Sequence, residues 1–102
     1  MTLKKHVSED KSTVTISITD RFDFSLHLHF RDSYTDCNKS GSEIIIDLSQ
    51  TTYMDSSALG MILLLKDHVE SIAGKLKISK PNDAVNKILE IAQFHRLMTI
   101  EK

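Results

Sequence analysis

The residues best suited to chemistry sit in one short stretch, Met54-Asp55-Ser56-Ser57-Ala58-Leu59-Gly60, where two hydroxyls follow a carboxylate. A serine there could serve as a nucleophile, a helix cap or a phosphate acceptor. Nucleophilic use needs a general base and an oxyanion site, and the segment lacks the glycine-flanked turn that exposes a reactive serine. Capping is a frequent role for Asp or Ser ahead of an apolar helical run. Phosphate acceptance suits the same position, because unpaired N–H groups at a helix start and the positive end of its dipole stabilise an anion. A phosphate on Ser56 should therefore act on the surface and leave the fold intact.

The other reactive side chains offer less. His27 and His29 would share a face on a strand and could then hold a metal, but at i and i+2 of a helix they point apart. Cys37 lies in a polar run before Ser40-Gly41-Ser42 and has no neighbour in sequence that would activate it. As the only cysteine it rules out an internal disulfide and fits a reducing compartment.

The elements that position Ser56 can be read from periodicity. Thr13 to Thr19 places Val14, Ile16 and Ile18 on one face of a strand. Glu43 to Leu48 carries Ile44-Ile45-Ile46 between polar turns, as expected of a mid-sheet strand covered on both faces. Lys75 to Ser79 reads as a short half-exposed strand stopped by Pro81, and Leu97 to Ile100 as a last strand. Between them, Ser56 to Ala73 reads as a helix of about four turns closed by Gly74. A further helix begins at Asn82 or Asp83 and carries Val85, Ile88, Leu89 and Ala92. Phe22 to Phe30 fits two patterns, a strand with apolar residues at every second position or a helix with the stripe Leu26, Phe30 and Tyr34. Strands alternating with helices imply an α/β layer structure with parallel strands.

On the Ser56 helix, Ala58, Ile62, Leu65, Val69 and Ile72 form a continuous core stripe, while Ser56, Leu59, Gly60 and Leu63 fall at i, i+3, i+4 and i+7 on another face. That second face would make a small apolar docking patch around the serine hydroxyl, unless Leu59 and Leu63 pack under a neighbouring helix or loop. A phosphate would add roughly −1.5 to −2 charge in its middle and switch docking off.

Composition bounds the partners. A chain of 102 residues fits one domain, residues 1–102. With 13 Lys and Arg against 14 Asp and Glu and a formal net charge of −1, nothing draws it toward nucleic acid or an anionic membrane. The longest apolar stretch, Ala58 to Leu65, is far below the roughly 20 residues that span a bilayer. Since the N-terminal residues also lack the apolar middle of a signal peptide, a cytoplasmic location is expected.

The stretch Ile44-Ile45-Ile46-Asp47-Leu48-Ser49 through Tyr53-Met54-Asp55-Ser56-Ser57-Ala58-Leu59-Gly60 resembles the signature of the STAS domains, the anti-sigma factor antagonists. Arg21-Phe22-Asp23-Phe24 is similar to the loop after that family's second strand, and Ser79-Lys80-Pro81 through Phe94-His95-Arg96-Leu97 to its last helix and strand. The resemblance implies a mixed sheet of four to five strands with helices mainly on one face, and a helix after the Phe22 loop. It implies a binding module with no catalysis and no cofactor. A serine kinase of the histidine-kinase-like ATPase type, often itself an anti-sigma factor, would phosphorylate Ser56, and a PP2C-type phosphatase would reverse this. Asp23, Asp55, Ser57, Leu59, Gly60 and Leu63 would face the partner. Two positions depart from the pattern: Ala58 and Asp20 stand where the family usually or often has glycine, the latter placing the Asp23 loop in question. A STAS subunit of a membrane transporter, without a phosphorylation cycle, is the alternative.

Overall fold

The computed structural model describes residues 2–102. Five strands, β1 (Leu3–Val7), β2 (Thr13–Phe22), β3 (Glu43–Met54), β4 (Lys75–Ser79) and β5 (Thr99–Glu101), form one sheet in sequence order. β1 and β2 are antiparallel, and every later pair is parallel. Each parallel step needs a crossover. These are supplied by α1 (His27–Tyr34), α2 (Ser56–Ser71) and α3 (Asp83–Ile91) in turn.

Strand alternation decides where the core lies. Val14, Ile16 and Ile18 of β2, Ile44, Ile46 and Leu48 of β3, and Leu76 and Ile78 of β4 are buried beneath the helices. The intervening Thr15, Ser17, Ile45, Asp47, Lys77 and Ser79 are only half-buried and line an open face. The mid-sheet position of β3 is as expected, but its second face is not covered, because all the apolar helix stripes meet the same side of the sheet. Ile45 sits in register between Thr15 and Lys77, so polar neighbours shield it.

The ambiguous segment is helical beyond Phe22, and the strand reading of Phe22 to Phe30 does not hold. β2 runs on to Phe22, a 3-10 turn covers Phe24–Leu26, and α1 follows. Leu26, Phe30 and Tyr34 are the buried stripe, whereas Phe24 and Leu28 are exposed. Phe22, Phe30, Tyr34 and His68 form a chain of rings with centroid separations of 5.2, 5.7 and 5.2 Å, tying α1 to β2 and α2. β1 carries no sequence signal, since only Leu3 of its five residues is buried. The last strand lies further on than expected, with Leu97 exposed at the end of a 3-10 turn.

The end of α2 also differs in mechanism. The left-handed residue after the helix is Ala73, at φ 53°, rather than Gly74. Gly74 is required for a different reason: a Cβ there would collide with the Ser42 carbonyl oxygen, which accepts the Lys75 N–H at 2.9 Å.

Candidate functional site

β2 and β3 end side by side, with Arg21 paired to Tyr53 and Phe22 to Met54. One residue beyond that last pair stand Asp23 on one strand and Asp55 on the other. The parallel register therefore brings these two carboxylates, far apart in sequence, to one rim of the sheet. Both act as caps. Asp23 Oδ1 accepts from the Ser25 N–H at 3.0 Å and hydroxyl at 2.5 Å, starting the 3-10 turn. Asp55 Oδ1 accepts from the Ser57 N–H at 3.0 Å, the Ser57 hydroxyl at 2.5 Å and the Ala58 N–H at 3.3 Å, starting α2.

Cap duty therefore falls on Asp55, and Ser56 occupies the first helical position. Ser56 is exposed, and its hydroxyl takes part in no hydrogen bond among the described residues, while Ser57 is half-buried. Of the expected core stripe, Ala58, Ile62, Leu65 and Val69 are buried, Ile72 is half-buried just past the end of α2, and Met61 joins the buried side. On the other side, Gly60 is exposed and a Cβ there would meet nothing within 4 Å. Leu63 is 40% exposed, whereas Leu59 is half-buried and packs against the core.

Two exposed apolar residues join this face. Leu64 is 62% exposed and Phe24 61%. They flank a groove of about 150 Å³ between α1 and α2, floored by Phe30, Tyr34 and Met61. Leu64 was legible in principle, since Ser56, Gly60 and Leu64 lie at i, i+4 and i+8, but its place inside Leu63-Leu64-Leu65 makes it resemble core. Phe24 carried no such signal, because its exposure depends on where β2 stops.

The rim is further fixed by Arg21, whose Nε is 3.2 Å from Asp23 Oδ2 and whose guanidinium lies 4.1 Å from the Tyr53 ring centroid. Hydrogen bonds from Ser25, with Arg21 assisting, hold the Asp23 carboxyl below its ordinary pKa. Asp20 sits at φ 69°, in the left-handed region where glycine is the easiest occupant. Aspartate tolerates that region better than most side chains, so the β2 bulge and the Asp23 loop form without a glycine. The other departure, Ala58, places its methyl group in the buried helix stripe.

The remaining candidates are dispersed. His27 stacks on Phe24 at 4.0 Å, His29 is exposed, and no group of His, Cys, Asp or Glu among the described residues could hold a metal ion. Cys37 is half-buried, and burial pushes its thiol pKa up, away from the thiolate form. No helix among the described residues is long and apolar enough to cross a membrane.

A mostly parallel five-stranded sheet with one helical layer is a fold shared with proteins of known structure. The STAS domain family model matches residues 4–102, and the chain belongs to that family. A STAS-domain containing protein of Pseudomonas aeruginosa (strain UCBPP-PA14) is 41% identical over 93 residues, covering 91% of this chain and 92% of its own length. Among solved structures, a Thermotoga maritima protein proposed to be an anti-sigma factor antagonist superposes with a TM-score of 0.81 at 20% identity, over 98% of this chain and 86% of that one. The anti-sigma factor antagonist SpoIIAA in its unphosphorylated form gives 0.73 at 17% identity, over 98% and 87%, and its phosphorylated form, from Bacillus, also matches. A sulfate transporter family protein from Wolinella succinogenes gives 0.79 at 14% identity, over 96% and 81%. These structures share the fold with this chain.

Proposed function

We propose that this protein is a binding module of the anti-sigma factor antagonist type, switched by reversible phosphorylation of Ser56. The observation that carries the reading is the division of labour at the start of α2. Asp55 caps the helix and engages Ser57, which leaves the Ser56 hydroxyl exposed and unbonded beside Gly60, Leu63 and Leu64. A serine that is dispensable for capping can accept a phosphate at little cost to the helix, and its place at the first turn favours the added negative charge. The same charge would oppose desolvation of the apolar face and weaken docking.

On this reading the chain binds and does not catalyse. Its partners are a serine kinase of the histidine-kinase-like ATPase type, which doubles as an anti-sigma factor or a comparable regulator, and a PP2C-type phosphatase. Both would act in the cytoplasm. Asp23, Asp55, Ser57, Leu59, Gly60 and Leu63 belong to the docking rim, with Asp55 and Ser57 shaping it through the cap and Leu59 through packing from below. A transporter subunit without a phosphorylation cycle would share the fold but would give the free hydroxyl of Ser56 no task.

The test is incubation with the cognate kinase and ATP, followed by peptide mapping by mass spectrometry. One phosphate on Ser56, lost in Ser56→Ala, is expected. Undiminished labelling of Ser56→Ala would overturn the reading.

A further inference from the structure

We infer that Asp55 is the residue that selects Ser56 over Ser57 for phosphorylation. The inference rests on the proposed function and deepens it. Two adjacent serines at a helix start offer a kinase the same chemistry: the serine Oγ–P bond forms as the bond from the γ-phosphorus to ADP breaks, and the hydroxyl proton passes to a base of the kinase. What separates the serines is their surroundings. The Ser57 hydroxyl donates to Asp55 Oδ1 at 2.5 Å, and the same oxygen accepts the Ser57 and Ala58 N–H groups at 3.0 and 3.3 Å. Ser57 is half-buried against this carboxylate, and Ser56 is exposed with no such bond.

A phosphate on Ser57 would meet two penalties that one on Ser56 escapes. The hydroxyl would have to leave Asp55, and the incoming dianion would then sit against a carboxylate at hydrogen-bond distance, displacing it from the N–H groups it caps. The carboxylate thus occupies Ser57 and repels the reagent that would modify it. Ser56, one position back, is exposed and makes no bond to that oxygen. Asp55 is a positioning residue here: it determines which hydroxyl remains available and takes no part in the transfer.

Two substitutions separate this role from a general effect on the helix. Asn is as good a cap as Asp, so Asp55→Asn retains an acceptor for the Ser57 hydroxyl and for the N–H groups. Asp55→Ala removes acceptor and charge together. With the cognate kinase and ATP, site-resolved mass spectrometry should place phosphate very largely on Ser56, with a small measurable share on Ser57, in both the wild type and Asp55→Asn. In Asp55→Ala, the ratio of Ser57 to Ser56 phosphate should rise by about tenfold or more, the factor that one lost hydrogen bond to a charged group gives. An unchanged ratio in Asp55→Ala overturns the inference, as does loss of labelling at both serines, which would assign Asp55 to kinase recognition. If Ser56 of the wild-type protein is not phosphorylated, the proposed function fails instead.

Discussion

Three aspartates in this chain use the same local geometry. Asp10, Asp23 and Asp55 each accept, on Oδ1, the N–H and the hydroxyl of the serine two residues on, with N–H distances of 3.0 Å in all three cases. This closes a tight turn with one side chain in place of backbone. The bonds from Ser12 and Ser25 hold the Asp10 and Asp23 carboxyls below their ordinary range. Only the third turn opens an α-helix with a further serine between the partners, and that inserted residue is Ser56. Asp20 tests the residue scale separately. Because φ is 69° there and the side chain is exposed, Asp20→Gly should change stability by less than about 1 kcal/mol. Asp20→Val should cost roughly 2 kcal/mol, since a β-branched side chain resists the left-handed region. Urea denaturation of the two variants decides it, and a valine variant as stable as the wild type would refute the strain argument.

At the scale of elements, α2 has one glycine within it and one just beyond it, with opposite requirements. A methyl at Gly60 would meet open space. Gly60→Ala should therefore raise stability by about 1 kcal/mol through helix propensity alone. The same methyl would project from the proposed docking face, so partner affinity should fall while stability rises. Gly74 abuts the Ser42 carbonyl, and Gly74→Ala should cost about 2 kcal/mol or more as the turn from α2 into β4 shifts. Denaturation midpoints moving in opposite directions are the expected result. A common direction would show that these positions differ only in propensity.

The molecule as a whole depends on a single helical layer over a sheet whose other face is open. With one core, the ring chain from Phe22 through Phe30 and Tyr34 to His68 carries much of the contact between α1 and the rest. Phe30 is 1% exposed and also floors the groove beside Leu64. Phe30→Ala should remove about 3–5 kcal/mol, a large share of the roughly 5–15 kcal/mol that stabilises a typical domain. Thermal unfolding followed by circular dichroism should show a melting temperature lower by many degrees, and a loss under about 1 kcal/mol would show that α1 packs through other contacts. The groove and the core are coupled at this residue, whereas Leu64 and Phe24 reach the same groove from its exposed rim.

Local pattern alone determined the alternation of strands and helices and most of the core stripe of α2, because side-chain period and helix geometry act over a few residues. The motif around Asp55-Ser56-Ser57 added the family. Tertiary structure decided what depends on distant partners. The register of β2 against β3 set Asp23 beside Asp55, and the end of β2 at Phe22 converted Phe24 from a candidate core residue into an exposed one. One-sided packing left Ile45 on an open face, and pairing with β2 made a strand of Leu3–Val7, in which no periodicity was visible. The cap followed the same division: the sequence allowed Asp55 or Ser56 to hold the helix start, and only the folded backbone placed Asp55 Oδ1 over the N–H groups, releasing Ser56.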